Sequence, residues 1–389
     1  MAVAAVQSLR VRGLVPAGGV VVGPAVAVSP HPALLYVTGD HPEPGQGSAA
    51  AAEALAGTVG KIQPEDEVWV LLSGGTTSLI GAPEVGISAG ELRSLYSLLL
   101  GSGLDIVEMN QIRKRFSRWG GGKLARALAP ARVRVYIVSD VIGDDLASIG
   151  SGPCVPDPAT ALEVRRLLER ADLWPRIPEA ARALVLATER GERPETPKPG
   201  DDVFRKVDLE LIASNRLALE AAADRARELG LVPRVADTPI AGEAASMGET
   251  IAAALMDQCR GGRKARKPDC LIWGGETTVS LGHGATGLGG RCQELALAAA
   301  RALDGVAPSF ALLAAGTDGR DGPTDAAGAI VDGATWRAIA RTGRDPERDL
   351  AVHDAYHALD AAGALIRVGL TGTNVMDVVI GVCLEQPVS

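Results

Sequence analysis

A chain of 389 residues has room for about two domains with substantial cores. Its 47 acidic and 39 basic residues leave a formal charge of −8, which argues against a nucleic-acid or anionic-membrane partner while still allowing a local arginine cluster to bind an anionic substrate. Five cysteines (Cys154, Cys259, Cys270, Cys292, Cys383) form no Cys-x-x-Cys pair, and no apolar run approaches the roughly 20 residues of a membrane span, so a cytoplasmic setting is expected.

In chain order, residues 1–12 read as a helix and 19–28 as a Val-rich strand that Pro24 confines to a sheet edge. Residues 48–59 form an Ala-rich helix and 67–72 a buried strand that runs into Ser73-Gly74-Gly75-Thr76-Thr77-Ser78. Residues 90–100 are helical again, giving the strand, Gly-rich turn and helix of a doubly wound α/β fold. A basic helical segment at 111–119 precedes Gly120-Gly121-Gly122-Lys123, and strand 133–138 ends in Ser139-Asp140. The long loop VIGDDLASIGSGPCVPDP follows, and a loop of that length with apolar interleaving is a functional candidate. After a helix at 159–170, the stretch PETPKPG is the clearest linker, and strand 209–213 feeds Ser214-Asn215-Arg216 and a long helix to residue 229. A helix at 243–258 and a basic loop at 260–267 lead to strand 270–273, which ends in Gly274-Gly275-Glu276-Thr277-Thr278. A Gly-rich stretch precedes helix 292–303, and strand 310–315 opens into the Gly-rich turn that carries Asp318, Asp321 and Asp325. Thr371-Gly372-Thr373-Asn374 and Asp377 come just before a final strand.

Several familiar signals fail. Gly120 to Lys123 is no Walker A loop, because Ser117 and Leu124 occupy two of its defining positions. Gly282, Gly284 and Gly287 have dinucleotide-type spacing, but the next helix opens too late for a pyrophosphate to meet its N-terminus. His353 and His357 have zinc-helix spacing without the accompanying Glu and read as a solvated helix face. The aspartates at 318, 321 and 325 miss the calcium-loop spacing. What remains is a repeated theme, five strands that end in Gly, Ser, Thr, Asn or Asp loops at 73–78, 139–145, 274–278, 316–321 and 371–374. Such ends converge on one edge of a parallel sheet, where backbone N–H groups form anion nests and carboxylates hold a metal. That combination suits phosphoryl transfer.

The motifs LLSGGTTSLI, EMNQIRKRFSR, SDVIGDDLASIGSGPCVPDP, ETPKPGD, ASNRLALEAA, GGETTV, GGRCQELAL, GTDGRDGPTDAAGAIVDG and TGTNVMD occur in this order across nearly the whole chain. As a set they resemble class II glycerate 2-kinases, which pair a glycerate-kinase N-terminal domain with a MOFRL domain. The resemblance implies two α/β domains with a cleft between them, a doubly wound Rossmann-like sheet in residues 1–204 and a smaller C-terminal domain in 205–389. Within the latter the MOFRL region spans about 268–385. The implied reaction is ATP-dependent phosphorylation of D-glycerate at its 2-hydroxyl with Mg2+ or another divalent cation. A homodimer is compatible with it, and neither nucleic acid nor membrane is involved. The alternatives are a hydroxypyruvate- or tartronate-related oxidoreductase, disfavoured by the absent dinucleotide fingerprint, and a non-catalytic ligand-binding protein of the same fold.

Carried over position by position, Ser73, Gly74 and Gly75 resemble a substrate or phosphate nest, joined by Glu108, Asn110, Arg113, Lys114, Asp140, Asp144, Ser151 and Gly152. Arg291 matches the arginine expected near the transferred phosphoryl group, and Asp318 is the second catalytic candidate. Asp318 and Asp321 are the metal candidates. Nucleotide contacts are expected from Asn215, Gly275, Glu276, Thr277, Gly316, Thr317, Gly319, Thr373 and Asn374. Asn215 and Asn374 read equally as helix N-caps, Glu276 as an ion-pair partner of an arginine, and Arg113, Lys114 and Arg115 as a solvated helix face. The general base stays open among Asp140, Asp144 and Asp318. Cys292 stands where the family usually has Asn, and Gly120 where a Lys usually precedes the Gly pair. The family's usual opening strand with a Gly-Lys-Ala stretch is not in the sequence, so a shortened chain of low activity with an unpaired sheet edge is expected.

Overall fold

The computed structural model describes residues 1–41, 43–261, 269–282, 287–306 and 310–383. The basic loop expected at 260–267 and the middle glycine of the 282–287 spacing therefore lie largely outside the described residues. The chain forms two compact units. The first holds Met1–Ser139 and Asp144–Ile212; the second holds Asp140–Gly143 and the chain from Ala213 onward.

In the first unit, helix Ala2–Val11 has no side-chain cap and buries none of its residues. Strand β1 (Gly19–Gly23) stops before Pro24, which has no N–H to continue a ladder, and pairs in parallel with β2 (Leu34–Thr38), a strand the sequence reading missed. β3 (Glu67–Leu72) and β4 (Arg132–Val138) pair in parallel, with β5 (Val207–Ala213) on the other side of β4. Three helices carry the S/T/D-x-x-E capping box, in which the N-cap oxygen and the Glu three residues on satisfy each other's backbone N–H groups. These are Ser88–Glu91 before Ala89–Leu100, Asp105–Glu108 before Ile106–Phe116, and Thr160–Glu163 before Ala161–Arg170. In the last of these, Ala161, Val164, Leu167 and Leu168 recur at helical spacing and are buried. Together with Leu95, Leu99, Ile112 and Phe116 they form the main apolar cluster of this unit.

The second unit is a six-stranded sheet of β6 (Val232–Val235), β7 (Asp269–Gly275), β8 (Phe310–Gly316), β9 (Gly328–Asp332), β10 (Leu365–Ile366) and β11 (Asp377–Cys383). Its order is β10-β9-β8-β11-β7-β6, and only β6 and β7 run parallel. Helix Arg291–Ala302 is buried on all sides from Cys292 to Ala300, the pattern of a central rather than a surface helix. It packs against helix Ala244–Gly261 so closely that a Cβ on Gly248 would stand 2.2 Å from the Leu295 carbonyl oxygen.

The expectation that loop-bearing strand ends meet at one edge of a parallel sheet needs correction here. β11 is antiparallel to both neighbours, so its first residue, Asp377, lies opposite Gly275 and Gly316, the last residues of β7 and β8. Convergence survives because the entry of one strand meets the exits of two others. The stretch after β8 is also more regular than a free turn, since β9 folds back in a hairpin pairing Ala315 with Gly328.

Candidate active site

Arg291 is the first residue of its helix, preceded by Gly290 and Gly289. Gly290 is required by close approach, because a Cβ there would lie 2.3 Å from the Asp321 carboxyl carbon. Arg291 Nε donates to Asp377 Oδ2 at 2.6 Å and Nη2 to Oδ1 at 3.0 Å, a bidentate pair. Nη1 meets Glu276 Oε1 at 2.6 Å. Burial opposes the guanidinium charge, but the Asp377 hydrogen bonds, and then the Asp377 and Glu276 charges, raise its pKa above the ordinary value.

Asp377 is 1% exposed, and burial pushes its carboxyl up while Arg291 opposes and Asp318 adds to the rise. Glu276 is likewise raised by burial, opposed by Arg291 and raised further by Asp377, Asp140 and Asp318. Two carboxylates thus hold one guanidinium, while Asp318 acts on both of them and Asp140 on Glu276. Asp377 stood in the TGTNVMD motif but was not among the expected site residues, because nothing in a lone Asp at a strand start announces an arginine 86 positions away.

Asp321, expected as a metal ligand, is the side-chain cap of the central helix. Its two oxygens accept from Cys292 N at 3.1 Å and Gln293 N at 2.7 Å, where the helix dipole favours a negative charge. Burial nevertheless raises its pKa to about 6, against those two backbone hydrogen bonds. Asp318 is placed differently, with Oδ1 accepting from Arg320 N at 2.9 Å. Cys292, at the family's Asn position, is buried beside Asp377, and burial drives its thiol pKa well up.

The loop before β11 is tied to the loop after β8. Thr317 Oγ1 donates to Met376 O at 2.7 Å and accepts from Val375 N at 2.8 Å, and Thr371 Oγ1 donates to Thr317 O. Gly319, at φ +86°, passes so close that a Cβ would stand 1.9 Å from Gly369 O. Asn374 caps no helix; its Oδ1 accepts from Met376 N in a local turn. Asn215 caps none either, since Ser214 does so, accepting from Leu217 N at 3.3 Å. The Asn215 amide instead donates to Val375 O and Asp377 O at 2.8 and 2.9 Å, which holds the entry of β11. Thr277 is 2% exposed and its Oγ1 has no hydrogen-bond partner among the described residues. Gly275, at φ +136°, lies against the Ile240 backbone, and Gly316 and Thr373 complete the expected set without a side-chain role beyond these loops. Asp140 joins this unit through the segment Asp140–Gly143.

In the first unit three glycine-rich segments come together. Thr77 Oγ1 and Ser151 Oγ are 2.9 Å apart, Gly121 N donates to Ser151 O and Gly122 N to Gly152 O, both at 2.8 Å. Ser151 is buried with φ +64°, a costly conformation for a residue with a Cβ and one that clusters at functional sites. Asp144 shares the left-handed region at φ +54°. Ser73 O accepts from Thr76 Oγ1 at 2.7 Å, and Gly74 and Gly75 complete that turn, with Gly75 at φ +78°.

The basic segment is not a solvated face. Lys114 is 5% and Arg115 3% exposed. Lys114 has no hydrogen-bond or ion-pair partner among the described residues, and burial lowers its pKa while Asp157 and Asp145 oppose. Arg113 stacks over Tyr96 at 5.3 Å, Asn110 is half-buried, and Glu108 is spent on its capping box and on Arg170. His353 and His357 do not share a helix. His353 is paired with Glu294 at 2.8 Å and His357 with Asp354 at 2.6 Å. Among the described residues no group of three or more His, Cys, Asp or Glu is arranged to hold a metal, and no helix is long and apolar enough to cross a membrane.

Residues 1–186 match the family described as a domain of unknown function (DUF4147), and residues 269–377 match the MOFRL family. The chain is 40% identical over 353 residues to a glycerate 2-kinase of Pyrococcus horikoshii, covering 91% of this chain and 79% of that protein. An Agrobacterium vitis relative bearing a provisional hydroxypyruvate reductase label is 39% identical, with 87% and 75% covered. The crystal structure of a glycerate kinase from Thermotoga maritima superposes with a TM-score of 0.89 at 37% identity, covering 99% of this chain and 88% of that one. Fold and site together define an α/β protein of the combined DUF4147 and MOFRL architecture. The chain belongs to the glycerate 2-kinase family.

Proposed function

We propose that this protein transfers the γ-phosphoryl group of ATP to the 2-hydroxyl of D-glycerate, giving 2-phosphoglycerate. The reading rests above all on Arg291, a guanidinium at a helix start, fixed by Asp377 on two nitrogens and by Glu276 on the third. Phosphoryl transfer spreads charge over the equatorial oxygens, and catalysis is mostly positioning and neutralisation. An arginine held in one orientation meets that charge without reorganising. Its remaining N–H donors are the groups assigned to phosphate oxygens, since most backbone N–H groups of the 274–278 and 316–319 loops already donate to the carbonyls of Ile240, Gly242, Ala327, Met376 and Gly316.

Asp318 is assigned to the hydroxyl proton or the metal. Mg2+ binds through one or two carboxylates with phosphate and water completing the shell, a donor set that Asp318 fits and the capping residue Asp321 does not. Bound there, the ion would neutralise phosphate charge. Asn215, Gly275, Glu276, Thr277, Gly316, Thr317, Gly319, Thr373 and Asn374 are assigned to shaping the nucleotide site. Ser73, Gly74, Gly75, Lys114, Asp144, Ser151 and Gly152 are assigned to substrate and phosphate, with Lys114, a residue 5% exposed whose ammonium holds no carboxylate among the described residues, as the strongest anchor for a carboxylate. We place the kinase domain at 1–204, the C-terminal domain at 205–389 and the activity in the cytoplasm.

The test measures ADP and 2-phosphoglycerate from ATP and D-glycerate without nicotinamide cofactor, and separately NADH oxidation with hydroxypyruvate without ATP. ADP release coupled to 2-phosphoglycerate is expected. NADH oxidation alone overturns the reading, and glycerate binding without turnover at any Mg2+ concentration favours a ligand-binding protein.

A further inference from the structure

A cavity of about 250 Å3 lies wholly in the first unit, apart from every residue assigned above. Its basic lining is Arg115, Arg118, Lys123, Arg126 and Arg193. Only two carboxylates, Glu84 and Glu195, face these five cations, in a chain whose overall charge is −8. Both are already committed. Glu84 holds Lys123 Nζ at 2.7 Å; Glu195 serves Arg115, lies 3.5 Å from Lys198 and accepts from Ala161 N at 2.7 Å. Arg118 pairs with Glu53, which is not part of the lining.

Arg126 and Arg193 therefore have no carboxylate among the described residues. Arg126 donates to Glu195 O and Arg193 to Val85 O, so each guanidinium keeps most of its donors unspent. Two lining residues also carry buried donors without partners, Arg115 Nε and the Trp119 indole Nε1, on side chains 3% and 6% exposed. Buried donors of that kind are costly unless something accepts from them. Burial also holds the Lys123 ammonium below its ordinary pKa, against Glu84, and Arg115 adds to the depression. The space is many times the roughly 10–15 Å3 that one water needs, enough for a compact polyanion.

We propose that this cavity is a binding site for a small anion with two or more negative charges, a phosphate ester or a di- or tricarboxylate, held chiefly by Arg126 and Arg193. The bound anion supplies the missing countercharge and accepts from the unspent guanidinium donors of Arg126 and Arg193. Two forks that match carboxylate or phosphate geometry favour such a ligand over a monovalent ion.

The test is isothermal titration of the full chain with pyrophosphate and, separately, with citrate at low ionic strength without metal. Saturable binding of at least one anion is expected, retained by Arg291→Ala, because Arg291 belongs to the other unit. Losing charge-assisted hydrogen bonds in the double variant Arg126→Gln/Arg193→Gln should weaken that binding about tenfold or more. Arg193→Gln alone, which gives up only one observed contact, to the Val85 carbonyl, should weaken it measurably if the double variant fails to fold. Which anion binds separates the phosphate from the carboxylate source. Binding of neither, wild-type affinity in the Arg126 and Arg193 variants, or loss of all binding in Arg291→Ala would overturn the proposal.

Discussion

Replacing Asp377 by Asn tests whether Arg291 works because it is held. The change keeps the shape of a 1% exposed side chain and one acceptor, but removes the charge and turns the second acceptor into a donor facing a guanidinium. A hydrogen bond to a charged group contributes about 1.5–3 kcal/mol. The Arg291 side chain is 34% exposed, so solvent screens part of the interaction, and we take about 2–3 kcal/mol for the lost coupling. If that energy positions the guanidinium in the transition state, kcat falls roughly 30- to 150-fold. The KM for glycerate should change little. The assay is steady-state ADP release at saturating ATP, with the melting temperature and far-UV spectrum recorded for each variant. A double-mutant cycle with Arg291→Lys isolates the pair, and strongly non-additive effects are expected. Wild-type kcat in folded Asp377→Asn, or additive effects in the cycle, would refute the idea that this ion pair positions the arginine.

Arg291→Ala should lower kcat about 10²-fold or more while changing KM far less, whereas an unchanged kcat with raised KM would assign the residue to ground-state binding. Burial raises the folded pKa of Asp321 to about 6 from an ordinary 3.8, so its stabilising contribution is full below the unfolded pKa and is lost as pH rises through about 6. The stability of wild type relative to Asp321→Asn should therefore decline between about pH 4 and 6 and level off above; a flat difference in pH-dependent melting would refute the shift. Gly275→Ala places a Cβ 2.4 Å from Ile240 O at φ +136°, and should cost several kcal/mol, on the order of 1–3 from backbone strain alone, read by chemical denaturation.

The sequence determined what short-range physics determines. β3 was read residue for residue, and the strands and helices around β4, β7, β8 and Arg291–Ala302 within one or two positions at most ends, because apolar periodicity and Gly, Pro and capping signals act over one or two turns. The ordered motif set was enough to place the chain in its family. Elements with weak local patterns were missed, among them β2, β9, helix Glu179–Glu189 and the small helices between residues 335 and 361. Strand direction also lay beyond it, since β11 has the same composition whether it pairs parallel or antiparallel. The burial of Lys114 and Arg115 was equally hidden, because charge predicts a solvated face unless the packing around it is known. Only the tertiary structure decided which aspartate does what. Asp321 became a helix cap through backbone N–H groups 28 and 29 positions away, and Asp377 became the anchor of Arg291 across 86. A carboxylate's role is set by the donors that folding brings to it, and those come from strands and helices whose meeting no local pattern encodes.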